Sequence, residues 1–289
     1  MKDRNRRRLP AFFLALLLFA LAGCAVKDAP RAEAPDAPFE GLEVYVFDAG
    51  KADAILLTTP SSAVLIDCGG KGCGAVILDE LDSRGITRLD ALILTHFDRD
   101  HVGGAARVIG GVEISRVLQT FLPKDSGEYR KYLRALEKAA ISPETPRETL
   151  SFTLDGVCYT VEPPLREHYD RDESNNSSLI VTVSYGEDRL LFMGDAETAR
   201  IAEVLASPHE ACELIKLPHH GEKEKLLDAL LAAVKPRWAV ITCSAGEPEA
   251  PSTAKALKAA GVESFPTRLG AVRILCDGQT LRVEYADGK

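Results

Sequence analysis

The sequence has no CxxC pair among its seven cysteines, which argues against a zinc ribbon. It has no internal repeat of solenoid length, which removes the stacked-repeat folds. It has no excess of positive charge. The formal charge is -8, and the first 23 residues hold five basic side chains against one acid, so the rest of the chain stands at -12. A body so acidic does not attract nucleic acid over its whole surface, and a polyanion would have to be held by local cations or by metal. The apolar run Leu9–Leu21 is too short to cross a bilayer comfortably. Nor is the composition that of a disordered chain. With 46% hydrophobic and 27% charged residues, 289 residues are enough for one large core or two modest ones.

What is present begins with the N-terminus. Met1–Arg8 is basic, Leu9–Leu21 is apolar, and Leu21-Ala22-Gly23-Cys24 follows. This order resembles the lipobox of bacterial lipoproteins. The resemblance implies a signal peptide over 1–23, a lipidated Cys24, and an extracytoplasmic protein anchored to a bacterial membrane. A plain signal peptide or a short membrane anchor is the alternative. Ala25–Glu40, rich in alanine, proline and charge, has the composition of a tether, which leaves 41–289 as the folded domain. No protein partner is predicted. An exported protein can form disulfides, and Cys68 and Cys73 are the only close pair. Most of the cysteines sit in apolar contexts, which fits buried small side chains.

From Leu42 onward, β-rich runs at Leu42–Phe47, Ala54–Thr58 and Ala63–Ile66 are parted by Gly, Asp and Ser, as in consecutive antiparallel strands. Helical spacing is predicted over Ala75–Ser83, Gly103–Ile109, Ser126–Ala140, Glu197–Leu205, Lys225–Val234 and Thr253–Ala260. Further strands are predicted at Leu89–Thr95, Val117–Phe121, Cys158–Glu162, Ser178–Ser184, Arg189–Met193, Leu214–Leu217 and Trp238–Thr242. A closing hairpin turns over Asp277-Gly278. Meander strands followed by alternating strands and helices imply layered sheets with helices outside.

Four of the six histidines fall in two short clusters. His96-Phe97-Asp98-Arg99-Asp100-His101 follows a buried strand and places two imidazoles and two carboxylates within six residues. Unpaired carboxylates so close repel each other, and a divalent cation removes that cost. Gly103 and Gly104 are expected to let the backbone turn sharply there. Leu217-Pro218-His219-His220-Gly221 ends a second apolar strand, and the hydrophobic run Leu190–Met193 ends in Gly194-Asp195. Alone, a Gly-Asp is usually a turn and a His pair is often a surface feature. Three strand ends delivering imidazoles and carboxylates in order are what a dinuclear hydrolytic centre needs.

These motifs resemble the metallo-β-lactamase superfamily, and within it the hydrolase domain of the ComEC/Rec2 competence proteins. Phe47-Asp48-Ala49-Gly50-Lys51-Ala52-Asp53-Ala54 is similar to that group's opening segment. Leu65-Ile66-Asp67-Cys68-Gly69-Gly70 and the Asn175/Asn176-to-Leu179 stretch match two more of its motifs, and Gly270–Tyr285 matches its closing strand-turn-strand. The resemblance covers about Leu42 to Tyr285. It implies an α+β fold, a four-layer αββα sandwich with the metals at one sheet edge, and two divalent ions, zinc or manganese. His96 and Asp98 would serve one ion, Asp100 and His101 the other, and Asp195 both. His219 is the preferred remaining ligand, with His220 as ligand or proton donor. Catalysis falls to Asp100, Asp195 and His220. Asp98, where many members have His, hardens the site toward manganese.

The chain departs from the group at several positions. Lys51-Ala52 replaces Gln-Gly, Glu222 follows the His pair where Ser is usual, and Glu249-Ala250-Pro251 lacks a histidine. The third histidine of many members has no clear counterpart. His168 could fill it, although an exposed loop residue is the plainer expectation, and His209 is assigned nothing. Lys216, Lys51 and Asn176 are the candidate substrate contacts. The expected function is a cell-surface phosphodiesterase or nuclease whose metal-activated water attacks the substrate. The alternatives are hydrolysis of a lactam, lactone or thioester, and an anchored binding protein without catalysis.

Overall fold

The computed structural model describes residues 39–207 and 210–286, so Cys24, the expected signal peptide, most of the expected tether and His209 lie outside the described residues. The chain opens with β1 (Leu42–Val46), β2 (Ala54–Thr58) and β3 (Ala63–Cys68). Then come α1 (Cys73–Ser83), β4 (Arg88–Leu89), β5 (Ala91–Leu94), α2 (Arg99–Val102), α3 (Ala105–Ile109), β6 (Glu113–Ile114), β7 (Val117–Gln119) and α4 (Gly127–Ala139). The second half runs β8 (Leu150–Leu154), β9 (Val157–Glu162), α5 (Glu173–Asn176), β10 (Ile180–Tyr185), β11 (Asp188–Phe192), α6 (Thr198–Ala206) and β12 (Leu214–Lys216). It ends with α7 (Leu227–Val234), β13 (Trp238–Ile241), α8 (Pro251–Ala260), β14 (Glu263–Pro266), β15 (Val272–Cys276) and β16 (Leu281–Tyr285).

Two seven-stranded sheets form, in the orders β16-β15-β1-β2-β3-β5-β7 and β14-β13-β12-β11-β10-β9-β8. Side chains alternate across each strand, and the alternation divides the core. Val64, Ile66, Ala91 and Ile93 of the first sheet pack with Val181, Leu190, Phe192 and Val240 of the second, between the sheets. Leu65, Leu92 and Leu94 face the other way, onto Ile77, Val108 and Tyr132 of the helices. Leu191, Ile215 and Ile241 pack outward on Ile201, Leu230, Val234 and Leu257. The result is the expected α+β architecture, four layers in the order αββα.

Several elements differ from the sequence reading. The predicted strand Leu89–Thr95 divides because Asp90 turns out of the sheet, its Oδ2 accepting from the Ala63 amide at 3.0 Å. The edge strands β8 and β14 were not predicted. Both are short and partly exposed, and β14 exists through its parallel pairing with β13. Gly103 and Gly104 keep ordinary right-handed backbone, so no special turn requires them. They are small because the chain passes too close for a side chain. A Cβ on Gly104 would lie 2.3 Å from the Cys68 carbonyl oxygen and 2.7 Å from the Gly74 nitrogen. That contact locks the His101 turn onto the end of β3. The six described cysteines are free, five buried and Cys158 partly so, and none forms a disulfide. Among the described residues no helix is long and apolar enough to cross a membrane.

Candidate metal centre

β11 and β12 run parallel with Phe192 opposite Lys216, so Gly194-Asp195 and the turn Pro218–Gly221 leave the sheet at the same edge. In the facing sheet β3 and β5 are also parallel, with Ile66 opposite Ile93. Asp67 and Thr95-His96 therefore emerge side by side. Loops beyond the carboxyl ends of parallel strands are where α/β folds assemble sites.

Asp195 is the hub. Its Oδ1 lies 3.1 Å from His101 Nε2, and its Oδ2 lies 3.1 Å from His220 Nε2 and 3.9 Å from His96 Nε2. Asp98 Oδ1 approaches His96 Nε2 at 3.9 Å, and Asp100 Oδ2 approaches His220 Nε2 at 3.5 Å. Asp53, His101, Asp195 and His220 form a buried group with ligand atoms within 4.8 Å of one another. His96 Nε2, His101 Nε2, His220 Nε2 and Asp195 Oδ1 are buried and have no hydrogen-bond partner, despite their proximity. An orphaned buried polar atom costs roughly 1–3 kcal/mol. Four of them aimed at one volume fit a divalent cation.

The far side of each imidazole is fixed. His101 Nδ1 donates to Asp67 Oδ2 at 2.7 Å, and Asp67 also accepts from the Thr95 amide at 2.8 Å and the Thr95 hydroxyl at 2.6 Å. The Thr95 hydroxyl proton is thus committed, so its oxygen accepts from His96 Nδ1 at 3.2 Å. His220 Nδ1 donates to Thr242 Oγ1 at 3.0 Å, which in turn donates to Asp53 Oδ1 at 2.6 Å. All three rings therefore present Nε2 to the centre, the arrangement by which outer partners orient metal-ligating histidines.

Electrostatics agree. Burial pushes His96 down to about 4, helped by the neighbouring His101. Burial also opposes charge on His101 and His220, but surrounding carboxylates outweigh it. Asp195, Asp67 and Asp53 raise His101 well above its ordinary value, and Asp195, Asp100 and Asp53 raise His220 to about 10. Against its own burial, Asp195 is held well below the usual carboxylate range by His101 and His220. Without metal, then, the carboxylates favour protons on His101 and His220, which a cation must displace. Zinc loading at pH 7 is expected to release about two protons and to weaken as pH falls, roughly tenfold per unit for each proton. Calorimetry in buffers of different ionisation enthalpy reads the release directly, and loading without protons would contradict the assignment.

The structure brings together His96, Asp98, Asp100, His101, Asp195 and His220. It does not bring His219. The backbone is left-handed at His219 (φ 48°) and His220 (φ 53°), which sends the two adjacent rings different ways. His219 Nδ1 faces Glu224 Oε1 at 3.4 Å and Glu197 Oε1 at 3.6 Å instead. Lys216 is not a substrate contact. It is fully buried, its ammonium paired with Asp53 and donating to the Gly194 carbonyl at 3.0 Å. Asn176 is also buried. Its amide donates to the Arg171 and Asp172 carbonyls at 3.1 Å each, and its Oδ1 accepts from the Arg200 amide at 2.9 Å. Lys51 stays at the rim, paired with Glu222 at 2.6 Å, so two departures from the family pattern meet as one ion pair. Asp98 is gripped by Lys124 and Ser174. His168 is exposed and paired with Glu173.

Asp53 joins the buried group and Asp67 orients His101, although no motif assigned either of them a role. Their signal was available, since each is a lone carboxylate inside an apolar run, Ala52-Asp53-Ala54 and Ile66-Asp67-Cys68. Such a residue is buried only where something pairs with it.

A buried imidazole and carboxylate cluster at the strand ends of an αββα sandwich is the arrangement of a metal-binding centre. The chain belongs to the metallo-beta-lactamase superfamily, whose family model matches residues 47–244. Its curated relatives are competence and recombination proteins. It is 28% identical to ComE operon protein 3 of Bacillus subtilis over 69% of this chain and 28% of that protein. It is 27% identical to Recombination protein 2 of Haemophilus influenzae over 71% of this chain and 25% of that one. The chain thus spans about a quarter of the length of these relatives. Among solved structures, the metallo-beta-lactamase fold protein YhfI from Bacillus subtilis superposes with a TM-score of 0.54 at 10% identity, covering 84% of this chain and all of that one. That likeness concerns the fold.

Proposed function

We propose that this protein is a metal-dependent phosphodiesterase working outside the cytoplasm from a lipid anchor on Cys24. The observation that carries the reading is the convergence of four unpartnered buried atoms, the Nε2 of His96, His101 and His220 and Asp195 Oδ1. His96 and Asp98 would hold one divalent ion and Asp100, His101 and His220 a second, with Asp195 between them. Bound there, zinc or manganese supplies Lewis acidity and lowers the pKa of water toward neutrality. The oxygen donors Asp98, Asp100 and Asp195 support manganese as well as zinc.

The protein's own residues set the geometry. Asp67, Thr95 and Thr242 hold the three rings in one tautomer. Lys216 neutralises Asp53, so that the buried centre does not carry its full negative charge. Lys51 at the rim can leave Glu222 for an anionic substrate oxygen. The names of the curated relatives, competence and recombination, support a nucleic-acid phosphodiester as substrate. The acidic body favours a short stretch held locally over a broad electrostatic footprint.

The test is metal analysis of the purified protein with turnover of bis-p-nitrophenyl phosphate, single-stranded DNA and nitrocefin by its zinc and manganese forms. About two metals per chain with phosphodiester turnover is expected. Nitrocefin turnover alone would replace this reading with lactam hydrolysis. Neither metal nor turnover would leave a binding protein.

A further inference from the structure

Beside the metal centre, Glu197, His219 and Glu224 form a second cluster that takes no part in it. One ligand atom from each lies within 4.8 Å of the others. They come from three segments, the residue before α6, the turn after β12 and the approach to α7. Their side chains are 17%, 24% and 6% exposed, which separates them from an ordinary solvated acidic surface. His219 Nδ1 sits 3.6 Å from Glu197 Oε1 and 3.4 Å from Glu224 Oε1. Two donors at about 2.05 Å from a tetrahedral zinc stand about 3.3 Å apart, so the two contacts of His219 are close to the spacing of zinc ligands.

The charge balance points the same way. Two carboxylates face one imidazole, and a third, Asp172, stands beside Glu197. Among the described residues neither glutamate is paired with a lysine or arginine. Apart from Asp172, their other polar contacts are neutral. Asn175 Nδ2 donates to Glu197 Oε1 at 2.7 Å, and Thr198 Oγ1 donates to Glu224 Oε2 at 3.3 Å. Burying like charges without a cation is costly.

We propose that Glu197, His219 and Glu224 bind one divalent cation of borderline hardness, zinc before manganese, at a rim site separate from the buried centre. One nitrogen and two oxygens leave room for water or a substrate oxygen on the exposed side. With three protein ligands and partial exposure, this site fills after the buried one and exchanges faster. It is independent of what the buried centre hydrolyses.

The test is zinc titration by calorimetry, with cobalt absorption as a second reading, of the wild-type protein and of the Glu224→Gln and Glu197→Gln variants, each nearly isosteric. The wild type is expected to take one weaker equivalent beyond its tight ones. Each variant should bind that equivalent at least tenfold more weakly and keep the tight ones. An unchanged weak equivalent in the variants, or none in the wild type, overturns the proposal. Should one variant not fold, the other and His219→Gln give the same comparison. Absence of tight equivalents from every protein would count against the metallohydrolase reading instead, because the rim site is read only as the difference between wild type and variant.

Discussion

Asp195→Asn is expected to cost the protein its metal and its turnover while leaving the fold in place. Asp195 touches three imidazoles, so its carboxylate is the one group common to both halves of the centre. Replacing one oxygen by an amide nitrogen removes the negative charge and the second ligand atom. Outer partners of metal ligands are worth about 10–100-fold in affinity, and a shared ligand should exceed that, so metal is expected to bind more than about 100-fold more weakly. Loss of metal-supplied charge stabilisation is worth several kcal/mol, or about 1000-fold in rate. Asp67→Asn makes the graded comparison. It touches no presumed ion but orients His101 through Nδ1, and a loss of about 10–100-fold is expected. Metal content by dialysis and turnover at saturating metal read both variants. Full metal occupancy and normal turnover in Asp195→Asn would remove the centre proposed here.

The second large effect concerns stability. Arg200 on α6 is buried, and its guanidinium donates to the Glu162 carbonyl at 2.7 Å, the Ser178 carbonyl at 3.1 Å and Glu203 Oε2 at 3.2 Å. It fastens the helix to the end of β9 and the approach to β10. Burial lowers its pKa only partly against the pull of Glu203. Glu203 is buried too, accepting from Tyr169 at 2.9 Å and the Leu165 amide at 3.1 Å. Arg200→Met would orphan two carbonyls and leave Glu203 with the exposed Arg166, at 3.2 Å, as its remaining cation. Weakening a buried pair and orphaning two acceptors together cost about 3–5 kcal/mol. In a domain of this size that is a fall in Tm of about 6–20 °C. Thermal unfolding of the metal-free protein measures it, and a loss under about 1 kcal/mol would mean that the network is not held as described. The change should reach the metal centre as well, because Ser178 Oγ accepts from the Asp195 amide at 3.1 Å.

The arrangement of the Lys51–Glu222 pair bears on substrate choice. A rim lysine held by a rim acid offers an anion less attraction than a free lysine would, and an exposed pair of this kind is worth little stability. The cation would therefore be available at low cost to an anionic group at the rim.

Continuous apolar runs at Val64–Ile66 and Leu190–Phe192, and helical spacing in Ser126–Ala140, reflect which side chains must leave water, so strands, helices and the layer class could be read from order alone. So could the three ligand-bearing strand ends, since imidazoles and acids crowded at His96–His101 have few other uses. Only the tertiary structure decided between His219 and His220, because left-handed backbone at both residues turns neighbouring rings apart, and no pattern of residue types records a φ angle. Only packing of the two sheets buried Lys216 against Asp53 and turned Asp67 toward His101. Partners more than thirty residues apart in the chain meet through strand register, and register is a property of the folded sheets.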